Sequence, residues 1–121
     1  MVIADTSIWV DHLRQANRAF ARLLREDRIL LHPFVIGEIA LWTPPGRAET
    51  LRFLASPPGA VVAYAEDVLR LIEAERLFGS GVGYVDAHLL ASARLTPGAS
   101  LWTRDRKLRE AAERLRVAAA I

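Results

Sequence analysis

The chain has 121 residues, of which 52% are hydrophobic and 25% charged, which is the balance of a folded protein and not of a disordered one. Sixteen basic residues nearly balance fourteen acidic ones, and there is no cysteine, so disulfides, thiolate zinc sites and cysteine nucleophiles are excluded. We expect residues 1–121 to form a single domain.

The start of the chain lacks the basic and apolar segments of a signal peptide. The longest weakly charged stretch, 77–93, contains glycines, serines and a histidine, which is not the pattern of a membrane span. We therefore expect a cytoplasmic protein with no membrane association.

Strand and helix patterns alternate along the chain. Short apolar runs predict strands over 2–4, 60–63 and 100–102, with weaker strand signals over 29–31 and 117–119. The spacing of apolar residues and breakers predicts helices over 8–13, 16–26, 33–42, 48–54, 66–78 and 84–93, and a last helix opening at 105. This alternation predicts an α/β fold in three layers, with a central parallel sheet between two layers of helices.

Three acids are each the only formal charge in an apolar stretch of ten or more residues: Asp5, Glu38 and Asp86. Because an ionised carboxylate in a buried segment is costly, each of them needs compensation. A helix cap would explain Asp5, an ion pair with an arginine would explain Glu38, and a place at a helix N-terminus would explain Asp86. A metal ion would explain all three.

A fourth acid joins them through the expected topology. Asp5 directly follows the strand 2–4, and Asp105 comes shortly after the strand 100–102, although Asp105 alone is also an ordinary helix cap. The carboxyl ends of parallel strands meet at one edge, where ligand sites form. Oxygen-only clusters suit Mg²⁺ or Mn²⁺, so we expect these acids to form one metal site.

Four motifs in order resemble the PIN-domain family and, within it, the VapC-type toxins of bacterial and archaeal toxin–antitoxin pairs. The motifs are VIADTSIW at 2–9, Glu38 in its apolar helix, GYVDAHLLASA at 83–93 and LWTRDRKL at 101–108. The resemblance covers nearly the whole chain. It implies an endoribonuclease that hydrolyses RNA with Mg²⁺ or Mn²⁺, is inhibited by a cognate antitoxin and forms a homodimer.

The resemblance also implies roles for the four acids. Asp5 and Asp86 are the expected direct metal ligands, and Glu38 and Asp105 would ligate through water or orient the attacking water. The segment 32–34, His-Pro-Phe, departs from the small hydroxyl residues that the family often has before its second acid.

Neighbouring polar residues complete the expected site. Thr6, Ser7 and Thr103 can hydrogen-bond to the carboxylates and orient them. Arg104 and Arg106 flank the last acid and could hold RNA phosphates, although a solvated surface role explains them equally well.

The remaining histidines and tryptophans have simpler interpretations. The three histidines lack zinc spacing, which favours a structural role. The tryptophans lie in apolar segments, which favours the core, yet a leftover groove among apolar residues of the first helices could accept an antitoxin segment. The residues of that predicted groove are Trp9, Leu13, Phe20, Leu23 and Trp42.

Two other functions are compatible with this fold. A phosphate-receiving signalling domain also has an acidic Mg²⁺ site, but it usually has paired acids after its first strand, where this chain has Asp5 alone. A non-catalytic RNA- or protein-binding module would keep the fold without catalysis, but the presence of all four acids argues against it.

Overall fold

The computed structural model describes all residues, 1–121, as three strands and seven helices. In chain order these are β1 (Val2–Ala4), α1 (Thr6–Arg14), α2 (Arg18–Arg25), β2 (Ile29–Leu30), α3 (Pro33–Ala40), α4 (Arg47–Phe53), α5 (Ala65–Ala74), α6 (Tyr84–Leu95), β3 (Ser100–Trp102) and α7 (Arg106–Arg114). None of these helices is long and apolar enough to cross a membrane.

The strands form one parallel sheet in the order β2-β1-β3, so the first strand of the chain lies at its centre. Ile3 pairs with Leu30 on one side and with Leu101 on the other. All three residues of β1 are buried, and because successive side chains point to opposite faces, helices must cover both faces of the sheet. The predicted α/β fold around a central parallel sheet is confirmed.

The predicted strand 60–63 is wrong. Gly59 alone forms a parallel bridge, with Leu31, on the outer side of β2. Beyond it the amide of Val61 donates to Thr96 Oγ1 at 2.9 Å, which takes the backbone out of the ladder. Within this apolar run Val61 and Val62 are exposed, whereas Ala63 is buried.

The predicted strand 117–119 also reduces to a single bridge, between Ala118 and Leu101. The Leu101 amide donates to Val117 O at 2.6 Å, and the Ala119 amide donates to Leu101 O at 2.9 Å. Arg116 just before it has φ 62, so the chain turns immediately before the bridge. This segment adds one pairing to β3 and no further strand.

The three tryptophans, which the sequence placed in the core, are buried to different degrees. Trp9 and Phe20 are fully buried and pack edge to face with ring centroids 4.7 Å apart. Trp102 and Trp42 are half-buried, and the Arg14 guanidinium lies 5.4 Å from the centre of the Trp42 ring.

Burial changes the predicted antitoxin groove. Trp9 and Phe20 cannot line it because they have no exposed surface, whereas Leu13 and Leu23 are half-buried at the margin of the core. A groove in this region could therefore use only the partly exposed members of that set.

Candidate functional site

Asp5 lies where β1 ends and α1 begins, and it is only 6% exposed. Its backbone amide donates to Trp102 O at 3.0 Å, which continues the pairing of β1 with β3. Its Oδ1 accepts from the Ile8 amide at 3.1 Å and from Ser7 Oγ at 2.6 Å, and its Oδ2 accepts from Thr103 Oγ1. Asp5 is thus a helix cap, as one interpretation expected, and also a buried carboxylate held by neutral donors.

Asp105 begins α7 in the same way that Asp5 begins α1. Its Oδ1 accepts from the Leu108 amide at 2.9 Å, and its own amide donates to Thr103 Oγ1 at 3.0 Å. Thr103 therefore contacts both acids and ties the carboxyl end of β3 to the start of α7. Asp105 is exposed, which leaves its second carboxylate oxygen open to solvent and ligands.

Glu38 is exposed, which corrects the expectation that its segment is buried. The buried face of α3 carries Val35 and Ile39, one helical turn apart, and Glu38 lies off that face. Neighbours without charge do not indicate which side of a helix faces solvent. Its Oε1 accepts from Thr6 Oγ1 at 2.5 Å, so α3 is linked to the first turn of α1.

Asp86 lies in the first turn of α6 and is half-buried, and its carboxylate has no hydrogen-bond partner within the chain. Burial, followed by the negative charges of Asp5, Asp105 and Glu38, raises the pKa of Asp86 from 3.8 to about 6. Because each of these charges affects Asp86, the structure brings all four predicted acids into one electrostatic neighbourhood.

No basic side chain neutralises this cluster. None of the ion pairs in the structure includes Asp5, Glu38, Asp86 or Asp105, so the predicted alternative of an arginine partner for Glu38 is wrong.

The two arginines predicted to contact RNA both have acidic partners. Arg104 Nε lies 2.9 Å from Asp11 Oδ2, and Arg106 Nε lies 3.5 Å from Glu110 Oε1. Both pairs are exposed, so each arginine could still exchange its partner for a phosphate, at the cost of that contact.

The chemistry of the donor set fits a hard divalent cation. The four acids offer only oxygen, which is what Mg²⁺ and Mn²⁺ prefer, and no ion pair within the chain relieves their mutual repulsion. No three histidine, aspartate or glutamate side chains already form a cluster of metal-ligand geometry. The arrangement therefore has the composition and charge of a cation site without a preassembled set of ligands.

Two histidines behind the acids form a buried pair that the sequence indicated only as structural residues. His32 caps α3, with Nδ1 accepting from the Phe34 amide at 3.0 Å, and its ring centre lies 6.2 Å from that of His88 on α6. Both residues are buried, and His32 Nε2 and His88 Nδ1 have no partner. Burial and the neighbouring His88 lower the pKa of His32 to about 4.

One contact near the site could not be foreseen. The side chain of Lys107 lies against Gly81, in the loop before α6. The only signals in the sequence were that Lys107 is the single lysine and that 79–83 is rich in glycine.

Comparison with known proteins places the chain in a family. Residues 2–114 match the PIN domain family. The chain is 44% identical over 111 residues to ribonuclease VapC32 of Mycobacterium tuberculosis strain CDC 1551 / Oshkosh, an alignment that covers 92% of this chain and 90% of the relative. Ribonuclease VapC32 of strain ATCC 25618 / H37Rv matches with the same identity and coverage. No solved structure gives a significant match. The chain belongs to the PIN-domain family and, within it, to the VapC type.

Proposed function

We propose that this protein is a divalent-metal-dependent endoribonuclease that acts as the toxin of a toxin–antitoxin pair. The observation that carries the proposal is a group of four carboxylates without an ion-pair partner, in which burial and the charges of the other three raise the pKa of Asp86. Its relatives of the VapC type are named ribonucleases, which supports the same chemistry for this chain. Membership of the PIN family argues against a phosphate-receiving signalling domain.

Asp5 and Asp86 would hold a Mg²⁺ or Mn²⁺ ion directly, with Glu38 and Asp105 completing the site directly or through water. When bound, such an ion supplies positive charge that offsets the carboxylates and the negative charge on a phosphodiester. The hydrogen bonds from Ser7 Oγ and Thr103 Oγ1 fix the orientation of the Asp5 carboxylate before any ligand arrives.

Glu38 is suited to handle the proton of the attacking water. Thr6 Oγ1 holds one of its oxygens at 2.5 Å, and the exposure of Glu38 leaves the other oxygen free. That oxygen can accept a proton from water as the water oxygen bonds to phosphorus, while the bond between phosphorus and the leaving ribose oxygen breaks and the leaving oxygen takes up a proton from solvent. Glu38 is therefore proposed to act on the nucleophile while the aspartates hold charge.

Cleavage of RNA is the direct test. Purified protein should cut total cellular RNA in Mg²⁺ or Mn²⁺ and stop on addition of a chelator. Glu38→Gln should lose at least about a hundredfold in rate, the usual contribution of a general base, while its circular dichroism spectrum stays that of the parent. Activity that persists in chelator or in this variant would exclude the proposed mechanism.

Calorimetry with Mn²⁺ in the absence of RNA tests the ligand set separately. Asp5→Asn and Asp86→Asn should each weaken Mn²⁺ binding. Asp67→Asn is the matched control, since Asp67 occupies the first turn of α5 as Asp86 occupies that of α6, but is paired with Arg70 at 3.3 Å. Parent-like Mn²⁺ affinity in both test variants would show that the ion binds elsewhere.

We also propose a cognate antitoxin as protein partner, a homodimer as the assembled toxin, and the cytoplasm as its place of action. The surface offers apolar area for such contacts, since Leu41 is 87% exposed and Tyr64 is 75% exposed.

A further inference from the structure

Lys107, the only lysine of the chain, packs its side chain against a glycine. It is the second residue of α7, and its side chain runs across the loop that precedes α6. A Cβ atom added at Gly81 would lie 2.5 Å from Lys107 Cδ and 2.7 Å from Lys107 Nζ, closer than van der Waals contact permits. Gly81 also has φ +87, a backbone conformation that favours glycine independently of the lysine.

The Lys107 ammonium has no acidic partner. No carboxylate oxygen lies within ion-pair distance of its Nζ, whereas the nearby Arg104 and Arg106 are engaged with Asp11 and Glu110. An ammonium carries three hydrogen-bond donors on one compact charge. Lys107 is therefore a cation with its donors free, next to an acidic cluster.

Lys107 lies at the starts of the helices associated with two of the four acids. Asp105 caps the helix on which Lys107 lies, and Gly81 comes two residues before Gly83, which caps the helix of Asp86. The contact between Lys107 and Gly81 brings these two helix starts close together. The lysine side chain therefore reaches from the start of α7 to the loop that leads into α6.

We propose that Lys107 binds a phosphate of the RNA backbone and that Gly81 is required to hold the lysine in place. The proposal rests on the proposed ribonuclease function and names the residue that offsets the repulsion between the substrate and four carboxylates. A phosphate that approaches this cluster is stabilised by a protein cation in addition to any bound metal ion, and Lys107 provides one without giving up an ion pair.

Binding of a fluorescently labelled RNA hairpin, measured by anisotropy in chelator at several KCl concentrations, tests the proposal without cleavage. Lys107→Gln should weaken binding about tenfold at low salt and reduce the slope of log Kd against log [KCl] by about 0.7 to 0.9, the value of one lost phosphate contact. Lys107→Arg should retain most of the affinity. Gly81→Ala, which displaces the lysine but keeps every charge, should weaken binding in the same direction, provided that its circular dichroism spectrum matches the parent.

Arg114→Gln is the matched control, because Arg114 is an exposed arginine without an ion pair at the other end of the same helix. It removes the same charge and should change the affinity less than about twofold. Equal losses in Lys107→Gln and Arg114→Gln, or an unchanged salt slope in Lys107→Gln, would overturn the proposal. The proposal would also be overturned if Lys107→Gln gained Mn²⁺ affinity and lost no RNA affinity. Lys107 would then serve only as a counter-charge to the acids.

The outcome separates this inference from the proposed function. If the parent cleaves RNA and Lys107→Gln binds the hairpin as the parent does, only the lysine proposal fails. If Lys107→Gln weakens hairpin binding but the parent cleaves no RNA with any metal, the ribonuclease proposal fails and the phosphate contact stands.

Discussion

The four acids differ in what holds their oxygens. Asp5 and Asp105 accept backbone amides as helix caps, and Glu38 accepts a threonine hydroxyl, whereas Asp86 accepts no hydrogen bond from the chain. Hydrogen bonds to a carboxylate favour its charged form, and burial beside like charges disfavours it. Asp86 is therefore the acid whose charged form is least stabilised by its surroundings.

Replacing Asp86 by asparagine should stabilise the metal-free protein. The folded-state pKa of about 6 lies above the value of 3.8 from which it is raised, so the folded protein binds this proton more tightly than the unfolded chain. The stability associated with the proton is present at low pH and is lost as pH rises through about 6. Above that pH, Asp86→Asn should gain about 1 to 2 kcal/mol, allowing for partial screening by solvent.

Urea unfolding in chelator at pH 8 and pH 4.5 checks this expectation. The gain should be largest at pH 8 and should shrink towards pH 4.5, where the parent is protonated in its folded state. Asp67→Asn, which removes an acid already paired with Arg70, should show no such gain. A loss of stability in Asp86→Asn at pH 8 would mean that the acid is compensated in the folded protein.

At the scale of elements, α3 begins with a cap that titrates. The Phe34 amide donates to Nδ1 of His32, so the cap requires that nitrogen to be unprotonated. His32 is fully buried and lies beside His88, and these surroundings lower its pKa to about 4. The start of the helix that carries Glu38 is therefore built for a neutral imidazole.

Acid should consequently weaken the protein through His32. The unfolded chain takes up the proton near pH 6.5, while the folded protein resists it until about pH 4, so the stability present at neutral pH is lost as pH falls through this window. Between pH 7 and pH 5 the cost is about 2 kcal/mol for a shift of this size.

His32→Asn keeps an oxygen that can cap α3 but removes the titrating group. Its free energy of unfolding should fall less between pH 7 and pH 5 than that of the parent, whatever its absolute stability. Identical pH dependence in the two proteins would show that His32 does not account for the acid sensitivity.

Sequence patterns predict a strand correctly where the apolar run is buried in the sheet. The strands 2–4 and 100–102 were recognisable because each is a short apolar run in the centre of the fold. The run 60–63 has similar composition, yet its backbone turns to Thr96 instead of a strand, and no local pattern encodes that choice. Whether an apolar run pairs as a strand depends on a neighbouring strand that is distant in the sequence.

The candidate site shows the same division. The positions of Asp5 and Asp105 at one sheet edge follow from parallel topology, so they could be expected from strand order alone. The exposure of Glu38 and the contact of Lys107 with Gly81 depend on how helices are rotated and packed, which spacing along the sequence does not specify.

For the whole molecule, the proposed function predicts a specific partner. Expression of this protein alone should arrest growth, and co-expression of a small antitoxin encoded beside it should restore growth and block RNA cleavage. An apolar segment of the antitoxin would bind beside the first helices, and one of its arginines could neutralise Asp5 and Asp86 in place of the cation. Light scattering of the purified complex would give its stoichiometry and test the homodimer.

The control for the partner prediction is Glu38→Gln, which should be harmless alone and yet still bind the antitoxin. If the unmutated protein does not arrest growth when expressed alone and no antitoxin gene lies beside its own, the toxin assignment is contradicted. The nuclease assignment would then stay open.

The central place of β1 has a consequence for synthesis on the ribosome. Thr103, which hydrogen-bonds to Asp5, lies 98 residues further along the chain, and β3 is the last strand to be made. At translation rates of 5 to 20 residues per second, the first acid waits roughly 5 to 20 s for the strand that completes its surroundings. The fourth acid, Asp105, is made two residues after Thr103, so the cluster stays incomplete and the nuclease chemistry proposed for it is withheld until translation is nearly finished.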